Sequence, residues 1–513
     1  MLTSWQEITR VLAAKQVELS ADAKLVQDSR QLRLGDVFVA IVGHAMDGAA
    51  FVSQVIEKKA SVILVSSRCD KSLYQDLSLG DTLLFVIHEL ETNLPALAKA
   101  FYLTQDKPLP LVAVTGTNGK TSITHLLAQL SQAARSQEVA VIGTMGTGSI
   151  YDLQTSANTT PGVCDVYRLI KSFQQDAEHA FNSVAMEVSS HALEQNRVEG
   201  LEFDVAIFTN LTLDHLDYHQ TMEQYFAAKA KLFTEYAPKY AVVNADDEYG
   251  RRILENTSEQ TRLVAYGQSD YVKQNNHYVY IATISNELDG LVVQLESNIF
   301  GRTSNIKLKL PVYGEFNCLN LAAVFATAQV LNWPIKSEHF SCLKSVPGRL
   351  ELFTAAELPV AIVDYAHTPD ALEQSLLAVR SHLKGRLTVI FGCGGDRDAS
   401  KRPIMAEIAE RLADIVIVTN DNPRTETPSD IVEDIRKGFK RPERHRVIYD
   451  RKEAIRQALI ASSSRDAVLI AGKGHETYQI IGQDMLDYDE RKFTADTMAV
   501  LSKQIKESLG SEK

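Results

Sequence analysis

LPLVAVTGTNGKTS, residues 109–122, joins an unbroken apolar run to a glycine turn carrying a lysine and hydroxyls. Residues 111–114 have the composition of a buried parallel strand, and residues 123–130, apolar at helical spacing, predict the helix that leaves the turn. A phosphate fits between the two. Gly116 and Gly119 let the backbone curl with its N–H groups inward, and a helix N-terminus adds partial positive charge. Lys120 then reaches the outer phosphates while the Thr121 hydroxyl faces a magnesium ion. The general phosphate-loop pattern places four residues between its glycines; here only Thr117 and Asn118 stand there, so this is a shorter form.

The chain has 513 residues, a length that suggests roughly three domains, and its 45% hydrophobic and 23% charged residues are ordinary for a globular enzyme. A net charge of -12 argues against a nucleic-acid partner, which would need a basic face. Cys69, Cys164, Cys318, Cys342 and Cys393 are scattered, none paired at metal-ligand spacing, as expected of reduced cytosolic thiols. The N-terminal stretch lacks a cationic start followed by an apolar core, and no apolar run reaches the ~18 residues of a membrane span, so a cytoplasmic protein is expected.

The expected class is α/β in three domains: a smaller N-terminal α/β domain over 1–105, a central mostly parallel sheet of phosphate-loop type over 106–335, and a C-terminal Rossmann-like α/β domain over 336–513. In the central part the polar clusters 116–122, 187–191 and 210–219 follow apolar runs, where open parallel sheets collect ligands. Glu187, directly after the run SVAM, suits a magnesium site. Residues 214–219 pack two aspartates and two histidines together, but nothing around them supports zinc. Lys229 lies in an amphipathic helix and by pattern alone is an exposed charge; Asn317 by pattern alone is a helix N-cap. In the last domain four apolar runs deliver glycines and charges at the same end, into the loops 364–370, 392–397, 419–426 and 471–476. Four converging loops point to a ligand crevice.

The G-T-N-G-K-T string resembles the ATP loop of the Mur ligases and of folylpolyglutamate synthetase, which join an amino acid to a carboxylate at the expense of ATP. With DYAHTPDAL, GGDRD, DNPR and GKGHE following in order, the resemblance to the Mur ligases covers nearly the whole chain. It implies ATP contacts at Gly116, Thr117, Asn118, Gly119, Lys120, Thr121, Ser122, Asn317 (to adenine), Arg349 and Asp364, with His367 close by. It implies magnesium at Thr121, Glu187, His215 and a carbamylated Lys229, and a catalytic set of Lys120, Glu187, His215 and Lys229. The carbamate makes chemical sense, because an ammonium repels Mg²⁺ and a carbamate supplies anionic oxygen. A uridine-linked muramyl dipeptide is expected at Gln27, Ser29, His44, Ala45, Met46, Asn158, Thr159, Thr160, Ser189, Gln195 and Arg197.

In this family DNPR marks enzymes that accept meso-diaminopimelate, which implies amino-acid contacts at Arg397, Asp421, Asn422, Pro423, Arg424, Gly472 and Glu476. Arg424 would hold the distal carboxylate in a bidentate fork and Glu476 would face an ammonium. The implied partners are small molecules, with no membrane span, and a monomer is expected. ATP contacts from two domains imply closure before chemistry. A lysine-adding ligase, a folylpolyglutamate synthetase-like ligase and a non-catalytic nucleotide-binding regulator remain the alternatives.

Overall fold

A computed structural model describes residues 4–510 except 44–45, 104–107, 157, 213–214 and 288. His44, Ala45 and the 105/106 boundary therefore lie outside the described residues. The chain divides into two compact units, residues 1–263 (less 133–135) and residues 264–513 with 133–135.

In the first unit Leu25–Val26, Val37–Ala40, Val62–Ser66 and Leu83–Ile87 form a four-stranded parallel sheet. A larger sheet runs in the order Tyr240–Asn244, Val205–Phe208, Leu111–Thr115, Ser183–Glu187, Val139–Gly143, Gly146–Ser149, Asp152–Gln154. Its first five strands are parallel, and every residue of Leu111–Thr115, Ser183–Glu187 and Val205–Phe208 is buried. That is why these segments show continuous apolar runs rather than alternation. One apolar cluster takes in Ile8, Val39 and Leu94 together with Leu111, Tyr167 and Phe208, so the two sheets of this unit share a core.

The second unit holds what the sequence did not announce. After Arg262–Gly267 the strands Tyr278–Glu287, Gly290–Ile299 and Arg302–Leu310 form an antiparallel meander, whereas alternating strands and helices were expected throughout 106–335. The first of them alternates burial residue by residue, the mark of a strand with one wet face. Beyond helix Phe316–Val330 comes a six-stranded sheet in the order Glu351–Phe353, Val360–Asp364, Ala467–Ala471, Leu387–Phe391, Ile415–Val418, Arg446–Val447. All neighbours except the first pair are parallel. Ile362, Val389, Val418 and Leu469 belong to one apolar cluster, and Val363, Ile390, Ile417 and Ile470 to another. Adjacent residues thus face opposite covered sides, the Rossmann-like layering expected here. All five cysteines are free thiols. Among the described residues no helix is long and apolar enough to cross a membrane.

Candidate active site

Strand Leu111–Thr115 ends in the phosphate loop, and helix Lys120–Arg135 starts directly from Gly119, whose φ of 88° is left-handed. Gly116 has a φ of 145°, and a Cβ there would lie 1.8 Å from Thr209 Oγ1. Only glycine allows the loop to press this closely on the strand end beside it. The pressing is hydrogen-bonded: Thr117 N donates to Asn210 O (2.9 Å), Asn118 N to Asn210 Oδ1 (3.0 Å), and Thr209 Oγ1 to Asn118 O (2.6 Å). Lys120 Nζ curls back to the carbonyls of Gly116 and Thr117, each at 2.8 Å.

Glu187 ends the neighbouring strand and is buried. Its carboxylate accepts from Thr121 Oγ1 (2.9 Å), Thr144 N (3.0 Å) and Thr144 Oγ1 (3.2 Å). The hydroxyl and carboxylate expected at a magnesium ion are therefore in contact. Lys229, by pattern an exposed charge, is only 1% exposed: its Nζ donates to Gly116 O (2.9 Å) and lies 4.7 Å from the Tyr225 ring centroid. Tyr225 OH is in turn 3.2 Å from Thr117 Oγ1. The correction has a simple cause: helix Met222–Thr234 packs its Tyr225, Ala228, Lys229 and Leu232 face inward, and the lysine stem shares that face with the apolar residues.

His215 is exposed with a φ of 52°, its ring 5.1 Å from that of His191 and 6.0 Å from that of Tyr225. His219 is buried, stacked on Tyr225, with Nε2 2.8 Å from Ser190 Oγ and Nδ1 3.2 Å from Glu194 Oε2. Burial, opposed by the Glu194 charge, holds its pKa below the ordinary value. Among the described residues no three His, Cys, Asp or Glu side chains cluster as a metal site. The donors at the loop are oxygens, which suits a hard cation that keeps waters and takes other ligands from phosphates.

The dipeptide-binding candidates form a second group in this unit. Thr160 Oγ1 donates to Glu187 O (2.9 Å) and accepts from Ser189 N (3.0 Å), while Arg197 reaches Thr160 O (2.7 Å) and Gln195 Oε1 (2.6 Å). Ser189 Oγ caps its short helix by accepting from Ala192 N (3.1 Å). Thr159 Oγ1 lies 3.0 Å from Thr144 Oγ1, and Asn158 is exposed. A Cβ at Gly162 would lie 3.6 Å from Gln27 Oε1, so Gln27 sits beside this turn. Ser29 is buried and donates to Gln54 Oε1 (2.9 Å); Met46 is exposed. Thr144, Thr209 and Tyr225 were missed in the sequence. Thr144 follows the apolar strand Val139–Gly143, and that position at a strand's carboxyl end was the available signal.

In the second unit Asn422 is buried, with Nδ2 donating to Glu476 Oε2 (3.1 Å). Arg424 is half-buried with a φ of 52°, its NH1 donating to Gly395 O (2.9 Å) and its backbone tied to Ile480 and Gly482. Asp421 Oδ2 is buried without a hydrogen-bond partner, and a Cβ on Gly472 would lie 2.5 Å from it. Arg397 is exposed and touches Asp396 O (3.2 Å). Buried Arg451, paired with Glu490, donates to Asn420 O (3.3 Å) and Ala471 O (2.9 Å), and so ties the 420–424 loop to the strand before Gly472. Asp364 is committed to Leu350 N (2.8 Å), Ala366 N (3.2 Å) and Ser375 Oγ (2.6 Å), and burial raises its pKa. It shapes the turn beside Arg349, whose guanidinium lies over Tyr365 at 4.9 Å. Asn317 is not an N-cap: Glu315 stands at that position, without a side-chain cap bond, and Asn317 Nδ2 donates to Tyr313 O (2.7 Å) while Oδ1 accepts from Asn320 (2.9 Å).

The sequence matches the Mur ligase middle domain over residues 114–328 and the Mur ligase glutamate ligase domain over residues 348–474, which places it among ATP-dependent, amide-forming ligases. The chain belongs to the Mur ligase family. A protein of Haemophilus influenzae (strain PittGG) named UDP-N-acetylmuramoyl-L-alanyl-D-glutamate--2,6-diaminopimelate ligase is 42% identical over 484 residues, 93% of this chain and 97% of its own length. A Vibrio vulnificus (strain YJ016) protein of the same name is 40% identical, covering 93% of this chain and 94% of its own. A solved structure under that name superposes with a TM-score of 0.70 at 31% identity, covering 98% of this chain and 99% of that one. A Mycobacterium tuberculosis folylpolyglutamate synthase shares the fold at a TM-score of 0.54 and 16% identity, over 80% of this chain and 94% of its own.

Proposed function

We propose that this chain adds meso-2,6-diaminopimelate to the D-glutamate side carboxylate of UDP-N-acetylmuramoyl-L-alanyl-D-glutamate, in the cytoplasm, as a step of peptidoglycan synthesis. The observation that carries the reading is 40–42% identity across 93% of the chain with relatives named for that ligation. The DNPR turn, with Asp421 and Asn422 buried and Arg424 half-buried, adds to it.

In this reading a carboxylate oxygen of the D-glutamate side chain takes the γ-phosphoryl group of ATP and ADP departs. The amine of diaminopimelate then attacks the acyl carbon, the bond to the phosphate oxygen breaks, inorganic phosphate leaves and the amine gives up a proton. Gly116, Thr117, Asn118, Gly119, Thr121 and Ser122 cradle the phosphates. Lys120, held at the loop by two carbonyls, turns its charge onto the transferred group. Magnesium, when bound, neutralises charge on that group, and Thr121, Glu187, His215 and a carbamylated Lys229 would hold it. Gln27, Ser29, His44, Ala45, Met46, Asn158, Thr159, Thr160, Ser189, Gln195 and Arg197 take the nucleotide-dipeptide; Asn317, Arg349 and Asp364 serve the ATP. Arg424 takes the distal carboxylate, and Arg397, Asp421, Asn422, Pro423, Gly472 and Glu476 complete the amino-acid site. The division 1–105, 106–335 and 336–513 into substrate, ATP and amino-acid domains, and action as a monomer, belong to the same reading.

Incubation with ATP, Mg²⁺, the dipeptide nucleotide and diaminopimelate should yield a nucleotide product heavier by one diaminopimelyl residue, read by mass spectrometry. No ligated product with that amine would overturn the reading.

A further inference from the structure

Lys473 is fully buried, and no role has so far been given to it. A buried ammonium is tolerated only when it is paired. Its Nζ donates to Asn422 Oδ1 (3.0 Å) and to Glu476 Oε2 (3.0 Å). Asn422 Oδ1 also accepts from Ile480 N (3.0 Å), so two donors fix which end of the amide is oxygen, and Nδ2 is left to donate to Glu476 Oε2 (3.1 Å). The Glu476 carboxylate is thereby divided. Oε2 accepts from two internal donors, whereas Oε1 accepts from none among the described residues.

The residue before Asn422 also carries a carboxylate oxygen without a donor. Asp421 Oδ2 is buried and has no hydrogen-bond partner, and Gly472, with a φ of 125°, presents no side chain against it. Burial first, then the charges of Glu476 and Asp421, raises the pKa of both Tyr365 and Tyr478, so both carboxylates act on the same small region. An oxygen whose twin is anchored, on a carboxylate that is still partly exposed, is what a ligand ammonium would meet.

We propose that Lys473 is a positioning residue for the amino-acid substrate: it locks Asn422 and Glu476 so that Glu476 Oε1 is presented to the substrate's distal ammonium. This rests on the diaminopimelate reading above. Lys473 touches no reacting atom; it acts through Glu476.

The test is steady-state kinetics of the full-length enzyme, with phosphate release measured while each substrate is varied in turn. Lys473→Met, of similar length without the charge, should raise KM for diaminopimelate about tenfold or more, with KM for ATP and for the dipeptide nucleotide within about twofold of wild type. Lys473→Arg should recover part of the loss, which a packing role alone would not predict. In a Glu476→Gln background, Lys473→Met should add less than threefold, because the oxygen it positions is already changed. An unchanged amine KM, an equal rise in all three KM values, or full additivity with Glu476→Gln would overturn the inference. If Lys473→Met does not fold, Lys473→Gln, which keeps one donor, is measured against the same criteria. Wild-type protein that releases no phosphate with diaminopimelate would instead refute the substrate reading, so the two failures are distinguishable.

Discussion

A side chain on Gly143 would collide with Glu187: a Cβ there would stand 2.2 Å from Glu187 Oε1. The carboxylate is thus aimed by the absence of a neighbour as much as by the Thr121 and Thr144 hydroxyls that hold it. Glu187→Gln keeps the shape and removes the charge, so ligation should fall about a hundredfold or more while the thermal midpoint stays close to wild type. A variant with near-full activity would remove Glu187 from the phosphoryl-transfer site. Lys229 makes a similar point about burial. Its Nζ donates to Gly116 O, and carbamylation would turn the side chain into an anionic oxygen ligand beside the loop. Intact mass in bicarbonate should show one carbamate that disappears in Lys229→Met; no such difference would contradict the carbamate. Glu187 was placed by its position at the end of an apolar run, whereas Lys229 could not be placed from periodicity. A buried lysine looks like a surface lysine until its helix is docked, and only the resemblance marked it.

Among the elements, the loop and helix that follow Leu111–Thr115 were legible because their chemistry is local. The glycines need left-handed or close-packed backbone, and the helix must begin where the phosphates sit. Gly116→Ala should abolish measurable ATP binding, since its Cβ would lie 1.8 Å from Thr209 Oγ1 and the loop would have to move off the neighbouring strand. Retained ATP affinity would refute that packing argument. The same helix carries His125, buried without compensating charge, whose pKa falls from 6.5 to about 4. The unfolded chain takes up that proton below about pH 6.5 and the folded chain only near pH 4. Stability is therefore full above pH 6.5 and falls as the pH drops towards 4, by about 3 kcal/mol from this residue. Denaturant titrations of His125→Leu should show a flatter decline over that window; an unchanged decline would assign it elsewhere. The meander over Tyr278–Glu287, Gly290–Ile299 and Arg302–Leu310 was not anticipated, because its alternating polar positions dilute the apolar signal that made the parallel strands obvious.

For the whole molecule, strands of both units were legible where both faces are covered, and the sites were legible where strands end in glycines and charges. What stayed hidden depends on contacts between distant segments: Thr144 on Glu187, Tyr225 between Thr117 and Lys229, and Lys473 within the DNPR cluster. Function at this scale is a choice between amines. Arg424 is half-buried with its guanidinium on Gly395 O, so an amino acid without a distal carboxylate would forgo a bidentate pair whose two charge-assisted bonds are each worth about 1.5–3 kcal/mol. The deciding measurement is phosphate release with ATP and the dipeptide nucleotide, comparing meso-diaminopimelate with lysine in the wild type and in Arg424→Met. The expected result is a wild-type preference for diaminopimelate in kcat/KM of about a hundredfold to a thousandfold that collapses in the variant. Equal use of the two amines by the wild type, or a preference untouched by the substitution, would contradict it.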